Sequence, residues 1–155
     1  MNLYLVRHAE AKQKYQDPKC PLSEIGLINI KKVAAFVAEQ INVKVNRIMH
    51  SGKTRTFQTA EVLAAYLSPS QGIQQGESLT PSAAPSIWVN NLKNIKENTM
   101  LVSHLPYLGR LAAFLLCRDE NQSVIEFQPA TFVSLTRDNA GCWSVSWMVN
   151  PQILS

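Results

Sequence analysis

The sequence predicts a three-layer α/β fold in which a mostly parallel β-sheet is flanked by helices. Three short apolar runs, at residues 3–6, 47–49 and 100–102, lack the alternation of half-exposed strands and are typical of strands buried on both faces of a parallel sheet. A stretch with helical periodicity follows each of them. Later in the chain, strand-like runs at residues 131–135 and 142–147 flank a group of turn-forming residues. We therefore expect a C-terminal antiparallel hairpin at the sheet edge.

The helices are predicted from stripes of residues at helical spacing. Ser23 is placed to cap the first helix and Ser51 the second, while the third begins near Pro106, because helices tolerate proline in their first turn. The stripes consist of Ile30, Val33, Ala34, Val37 and Ile41, then of Thr56, Thr59, Ala60, Leu63 and Leu67, and finally of Leu108, Leu111, Ala112 and Leu115. A shorter helix is expected at residues 85–92.

Length and composition predict a single domain that spans residues 1–155. A chain of 155 residues with 46% hydrophobic content can bury one sizeable core. The sequence contains no internal repeat and no low-complexity segment that would separate two units.

Charge, cysteine and hydropathy patterns narrow the protein class. The net charge of +4 arises from scattered basic residues, with no consecutive run longer than Lys31-Lys32, which predicts no nucleic-acid partner. The three cysteines lack C-x-x-C spacing, so neither a disulfide framework nor a zinc site is expected. The sequence start does not resemble a signal peptide, and no apolar stretch approaches the roughly 18 residues that cross a bilayer. We expect a cytoplasmic protein without membrane contact.

All three histidines follow an apolar strand run, namely His8, His50 and His104. Ligands in α/β folds bind beyond the carboxyl ends of the strands, so these side chains are expected at one rim. Arg7 precedes His8, and Arg55 lies in the first turn of the second helix, where a cation opposes the helix dipole unless an anion is bound. The rim therefore predicts an anion site. For each residue taken alone, a buried structural histidine or a solvated surface arginine remains the alternative.

These charged residues lie in three motifs, which are LVRHAEA at residues 5–11, SGKTRTFQTA at 51–60 and VSHLP at 102–106. In order and spacing they resemble the Arg-His-Gly, Ser-x-x-x-Arg-x-x-x-Thr-Ala and later histidine segments of the histidine phosphatase superfamily, which has a phosphoglycerate mutase-like fold. The Ser-His-x-Pro form, together with PLSEIG at 21–26 and LTP at 79–81, is similar to the SixA-type phosphohistidine phosphatases. The resemblance covers nearly the whole chain.

The resemblance implies a role for each residue of the rim. His8 is the nucleophile that becomes phosphorylated and must be neutral, while Arg7, Arg55 and a protonated His104 hold the phosphoryl group. Ser51 is expected to bind substrate as well. Phosphoryl transfer of this kind needs positioning and neutralising charges, so no metal ion and no cofactor are expected.

The sequence departs from the family pattern in three places. Ala9 replaces the signature glycine, which is tolerable if φ there stays negative. His50 has no catalytic counterpart and is interpreted as structural. Larger family members carry a carboxylate near the position of Leu79 that protonates the leaving group, but Ser78 precedes Leu79 here, and the nearest acid, Glu77, becomes the candidate general acid.

A site without a strong acid favours a good leaving group. An alcohol leaves as an alkoxide, whose conjugate acid is about as weak an acid as water, whereas the imidazole of phosphohistidine has a conjugate acid with a pKa near 6.5. Short loops predict a site without a lid, open to a phosphohistidine presented by another protein. The SixA resemblance implies the same substrate, a phosphorylated histidine-containing phosphotransfer domain in a signalling relay, with phosphate as product.

Two other functions stay open. One is a phosphatase of a small-molecule phosphate ester with Glu77 as the general acid. The other is a catalytically inactive module that binds an anion or a nucleic acid at the basic rim.

Overall fold

A computed structural model describes residues 1–154 and confirms the layered α/β fold. Its six strands form one sheet in the order β3-β2-β4-β1-β5-β6. The elements in chain order are β1 (Asn2–Arg7), α1 (Glu24–Glu39), β2 (Arg47–His50), α2 (Thr54–Leu67), β3 (Ile73–Gln75), α3 (Pro85–Leu92), β4 (Thr99–Ser103), α4 (Tyr107–Cys117), β5 (Phe132–Arg137) and β6 (Trp143–Val149). None of the helices in this part of the chain has the length and apolar character that a membrane crossing requires.

The strand directions decide which residues meet at each end of the sheet. β1, β2, β3 and β4 are parallel, whereas β5 pairs antiparallel with β1 and β6 antiparallel with β5. The predicted parallel sheet and terminal hairpin are thus confirmed. Because Val6 lies opposite Phe132, the amino end of β5 shares one edge with the carboxyl ends of the parallel strands.

Two hydrophobic clusters lie on opposite faces of this sheet. Tyr4 and Val6 contribute to the cluster beneath α1 and α2, and Leu3 and Leu5 contribute to the one beneath α3 and α4. This division follows from the strand period of two, since alternate side chains point to opposite faces. Leu5 is fully buried, and its truncation to Ala would cost about 2–5 kcal/mol of folding free energy.

The predicted helix starts are partly right. The Ser23 Oγ accepts a hydrogen bond from the Gly26 N–H at 3.0 Å and caps α1 as expected. The prediction that Ser51 caps α2 is wrong, because the N-cap residue is Lys53 and no side chain makes a capping bond there. Helix α1 ends at Glu39, so Ile41 lies beyond it while still packing on the first cluster.

Two features escaped the sequence patterns. Strand β3, at Ile73–Gln75, is three residues long with one apolar side chain, and this is too little for a periodic signal. The expectation of uniformly short loops is wrong for residues 118–131, which connect α4 to β5 without regular structure. Connections of this length are uncommon and are often functional.

Gly26 lets α1 approach the backbone that follows His8. A Cβ atom at this position would lie 2.0 Å from the carbonyl oxygen of Glu10 and 3.1 Å from its nitrogen. Both are backbone atoms that cannot move aside independently. The Ser23 N–H also donates to the Glu10 carbonyl at 2.9 Å. This bond holds the start of α1 against the segment that follows β1.

Candidate active site

His8 and His104 meet because they follow neighbouring strands. β1 and β4 are paired, with Arg7 opposite Ser103, and the next residue of each strand is a histidine. The centres of the two imidazole rings are 5.2 Å apart. Arg7 and Arg55 are close enough for their charges to lower the pKa values of both rings. The structure therefore brings together the four residues predicted to be catalytic.

The hydrogen bonds of His8 define its tautomer. Its Nδ1 lies 2.7 Å from the carbonyl oxygen of Ala9, which can only accept, so Nδ1 carries the proton and Nε2 keeps a lone pair. The pKa of His8 is lowered to about 4, chiefly by burial and also by the charges of Arg55 and Arg7, while the bond to the Ala9 carbonyl opposes this shift. At neutral pH the ring is uncharged, and Nε2 can act as a nucleophile.

Ala9 fits its position without backbone strain. The positive φ angles at non-glycine residues within the described chain occur elsewhere, for example at Ser78 and Ala130, and not at Ala9. Ala9 is fully buried, and its N–H donates to the Thr59 Oγ1 of α2 at 3.1 Å. Replacement of the signature glycine is therefore compatible with the geometry around His8.

Ser51 and Thr56 fix the orientation of His104. The Thr56 Oγ1 donates to the Lys53 carbonyl at 2.8 Å, so its hydrogen is used there. The Ser51 Oγ then donates to the Thr56 Oγ1 at 2.8 Å. Consequently the remaining bond, 2.7 Å between the Ser51 Oγ and the His104 Nε2, has Nε2–H as its donor. All three side chains are buried.

This arrangement leaves the other nitrogen of His104 free for a ligand. Its Nδ1 is buried and has no partner within residues 1–154. Burial lowers the pKa of His104 to about 3, and the charges of His8, Arg55, Lys53 and Arg7 contribute to the shift. The ring is therefore neutral at pH 7. A bound anion raises the pKa of a nearby histidine, so Nδ1 can take up a proton and become a donor when the anion arrives.

Arg7 is oriented by the chain segment that leads to β5. Its Nη1 donates to the carbonyl oxygen of Phe127 at 2.8 Å, whereas its Nε is buried without a partner among the described residues. The guanidinium group therefore retains donors for an oxoanion, which it can contact in bidentate fashion.

Glu77 is not brought into this cluster. Its side chain is exposed, its carbonyl accepts the Trp88 Nε1–H at 2.9 Å, and it lines a neighbouring groove of about 530 Å³ with Arg47. The side-chain charges that shift the pKa values of His8 and His104 are all those of basic residues. A proton donor for an alkoxide is thus not placed at the histidine pair by Glu77.

His50 lies at the same sheet edge but has structural contacts. Its Nδ1 accepts the Gly52 N–H at 3.1 Å, and its ring packs on Phe57 with centres 5.2 Å apart. Within residues 1–154, no three or more His, Cys, Asp or Glu side chains are grouped so that they could hold a metal ion.

The roles of Thr56, Thr59 and the Phe127 carbonyl were not predicted from the sequence. Both threonines lie on the predicted buried stripe of α2. A hydroxyl group on a buried helix face needs a hydrogen-bond partner, and this requirement could have indicated their roles. No signal existed for Phe127, because any residue supplies the same carbonyl oxygen.

Comparison with known proteins gives a consistent family and fold. The sequence model of the histidine phosphatase superfamily (branch 1) matches residues 3–80. No curated protein matches the sequence.

Solved structures align over the full fold. The protein histidine phosphatase SixA complexed with tungstate is 23% identical, with a TM-score of 0.85 over 100% of both chains. A candidate phosphohistidine phosphatase SixA from Agrobacterium tumefaciens is 19% identical, with a TM-score of 0.79 over 97% of both chains. A phosphoserine phosphatase mutant from Entamoeba histolytica, in complex with phosphoserine, is 13% identical, with a TM-score of 0.72 over 99% of both chains.

Proposed function

Since the chain belongs to the histidine phosphatase superfamily (branch 1), we propose that it hydrolyses phosphohistidine on a signalling phosphotransfer protein through a covalent intermediate on His8. The observation that carries the proposal is a neutral His8, with its proton on Nδ1 and a lone pair on Nε2, beside an unpartnered Arg7 Nε and an unpartnered His104 Nδ1. Such a protein substrate would place the enzyme in the cytoplasm.

In the first step, the His8 Nε2 attacks phosphorus in line. The substrate ring takes a proton from solvent on its free nitrogen. A bond then forms between Nε2 and phosphorus while the bond from phosphorus to the substrate ring breaks, so that the ring leaves as neutral imidazole. Arg7, Arg55 and the protonated His104 neutralise the phosphoryl oxygens, which is the main contribution a protein makes to phosphoryl transfer.

In the second step, water attacks the phosphorylated His8. The new oxygen–phosphorus bond replaces the bond to Nε2, phosphate leaves, and the ring returns to its neutral form. The Ala9 carbonyl keeps Nδ1 protonated throughout, so the same nitrogen serves as nucleophile and leaving group. The proposed steps use side chains of this protein and water alone.

The surroundings of the histidine pair support a phosphoramidate substrate. Glu77 lines a groove with Arg47 and is exposed. We infer that an alkoxide leaving group would receive little help from it, whereas a protonated phosphoimidazole loses imidazole without a strong general acid. The SixA relative that binds tungstate, a tetrahedral oxoanion, supports the same use of the site.

A comparison of leaving groups tests the proposal. Because a general acid contributes about 10²–10⁴-fold, we expect phosphohistidine on a phosphotransfer domain to be hydrolysed faster than a simple alkyl phosphate by at least that factor. Released phosphate is the readout, and Glu77→Gln should leave the phosphohistidine rate unchanged.

Efficient hydrolysis of alkyl phosphates, together with a large loss in Glu77→Gln, would contradict the proposal. That result would assign the protein to phosphatases of small phosphate esters. Absence of phosphate release from every substrate, combined with salt-sensitive binding of nucleic acid, would instead indicate a binding module.

A further inference from the structure

A cleft of about 670 Å³ begins beside Arg7 and runs between the start of α4 and residues 120–129. One part of its wall is apolar and is formed by Leu105, Pro106, Val124, Ile125 and Phe127, whereas polar side chains such as Arg110, Glu120, Gln122 and Glu126 line the rest. Two of the apolar side chains remain exposed, with Leu105 37% and Val124 42% accessible. The cleft therefore places an exposed apolar patch beside Arg7.

The segment that lines the cleft is hydrogen-bonded to Arg7 of the phosphoryl site. The segment that forms its wall also binds Arg7, since the Phe127 carbonyl accepts from Nη1 at 2.8 Å and the Ala130 N–H donates to the Arg7 carbonyl at 3.2 Å. Arg110 and Glu120 form an ion pair at 2.7 Å that joins α4 to the segment. The wall is thus held in place at both ends.

The size and chemistry of the cleft exceed what the phosphoryl group requires. Ligand sites commonly enclose about 300–1,000 Å³, and this cleft falls within that range before any phosphoryl or imidazole group is placed. Exposed apolar residues at the edge of a polar site are typical of surfaces that bind another protein. Because Arg7 lines one end of the cleft, a group bound there would lie next to the phosphoryl group.

We propose that this cleft binds the apolar side chains that neighbour the phosphohistidine on the substrate protein. The inference rests on the proposed function and adds the feature by which the enzyme distinguishes a protein-borne phosphohistidine from a free one. Residues 120–129 form the recognition segment, and Val124 is its most exposed apolar side chain.

Val124→Gln tests the proposal without adding charge beside the anion site. Val145→Gln on β6 is the matched control, because Val145 is 43% exposed and lies in the edge strand away from the cleft. Each variant is assayed with a phosphorylated histidine-containing phosphotransfer domain and with phosphoramidate, which is too small to reach the wall. We expect Val124→Gln to lower kcat/KM roughly tenfold for the phosphorylated domain. Neither variant should change kcat/KM for phosphoramidate.

Three results would overturn the cleft assignment. Equal losses on both substrates would mean that Val124 acts through Arg7, and no loss on either would mean that the cleft contacts no substrate. A loss confined to phosphoramidate would mean that Val124 supports the phosphoryl site and does not contact the substrate protein. If the unmodified enzyme hydrolyses neither phosphoramidate nor the phosphorylated domain, the proposed function itself fails, and this is seen before any variant is compared.

Discussion

Arg7 and Arg137 lie at opposite ends of the same sheet, and their guanidinium groups have different surroundings. Arg137, at the end of β5, donates to the carbonyl oxygens of Leu92 and Ile95 and lies over the Trp143 ring at 5.4 Å. Arg7 has one carbonyl partner and a buried Nε without any within residues 1–154. One arginine completes the fold, and the other is held ready for a ligand.

The same contrast extends to the neighbouring side chains. At the amino end of the parallel strands, the Asn2 N–H donates to the Asn98 Oδ1 at 2.9 Å, and the Asn98 N–H donates to the Asn46 Oδ1 at 3.1 Å. Four buried side-chain atoms lack a partner in the described chain, and three of them belong to residues at the carboxyl end, namely Arg7 Nε, His104 Nδ1 and Thr131 Oγ1, while the fourth is the Tyr107 Oη of α4.

An unsatisfied buried polar group costs about 1–3 kcal/mol, so folded proteins contain few of them. The unsatisfied groups at this end of the sheet therefore lower the free energy of unfolding of the protein. A tetrahedral oxoanion supplies acceptors for the arginine and the protonated histidine, and its binding would recover part of that free energy.

Substitution of His8 is expected to have the largest effect. His8→Ala removes the attacking nitrogen and should abolish turnover, while the donors on Arg7, Arg55 and His104 remain and continue to bind sulfate. Mass spectrometry of the unmodified enzyme, quenched during turnover, should locate an acid-labile phosphoryl group on His8. An adduct on His104 or His50 instead would show that the nucleophile has been misassigned.

The two arginines provide a direct test of the contrast between the sheet ends. Arg7→Lys replaces a planar fork by a point charge and should lower kcat/KM by about 10²–10³-fold with little change in Tm. Arg137→Lys loses bonds to two carbonyl groups and should destabilise the fold by about 1–3 kcal/mol with kcat/KM nearly unchanged. Thermal unfolding and steady-state kinetics on the same preparations give both readouts. Equal effects of the two substitutions on activity would remove the distinction.

Ser51 is expected to have a smaller effect that is visible in the pH dependence. Because Ser51 holds the proton of neutral His104 on Nε2, sulfate binding requires uptake of a further proton at Nδ1. Sulfate affinity should therefore fall as pH rises above about 3, the pKa of His104 in the free protein, until pH exceeds the raised pKa of the sulfate-bound form. In Ser51→Ala the neutral ring can place its proton on Nδ1 and donate without proton uptake, so the dependence should flatten.

Calorimetric titration with sulfate, whose own charge is constant in this range, measures the proton uptake. Thr56→Ser retains the hydroxyl in the chain of bonds and is the control that should behave as the unmodified protein. Identical pH dependence in Ser51→Ala and the unmodified protein would show that Ser51 does not determine the tautomer.

The sequence predicted the sheet because its strands are read from local composition. The runs around Leu5 and Leu101 are apolar throughout, which is what burial on both faces demands, and the histidines after them were placed correctly by the parallel geometry. The place of Arg55 in the first turn of α2 indicated an anion site, and the family motif then implied its role. These features depend on residues close together in the chain.

What the sequence could not predict depends on distant contacts. Ser51 was assigned to a helix cap by its local position, yet its partner His104 is 53 residues away. The segment at residues 118–131 has no periodicity, and its contact with Arg7 is made by a backbone carbonyl. Neither relation leaves a pattern in a single sequence.

Gly26 has a consequence for how this protein tolerates sequence change. Any other side chain would push the carbonyl of Glu10, two residues beyond His8, away from α1. A survey of all single substitutions would therefore find position 26 nearly as intolerant as the nucleophile, although Gly26 contributes no atom to the chemistry. Sequence change at the start of α1 is therefore limited because it would displace the backbone next to His8, a residue that follows β1.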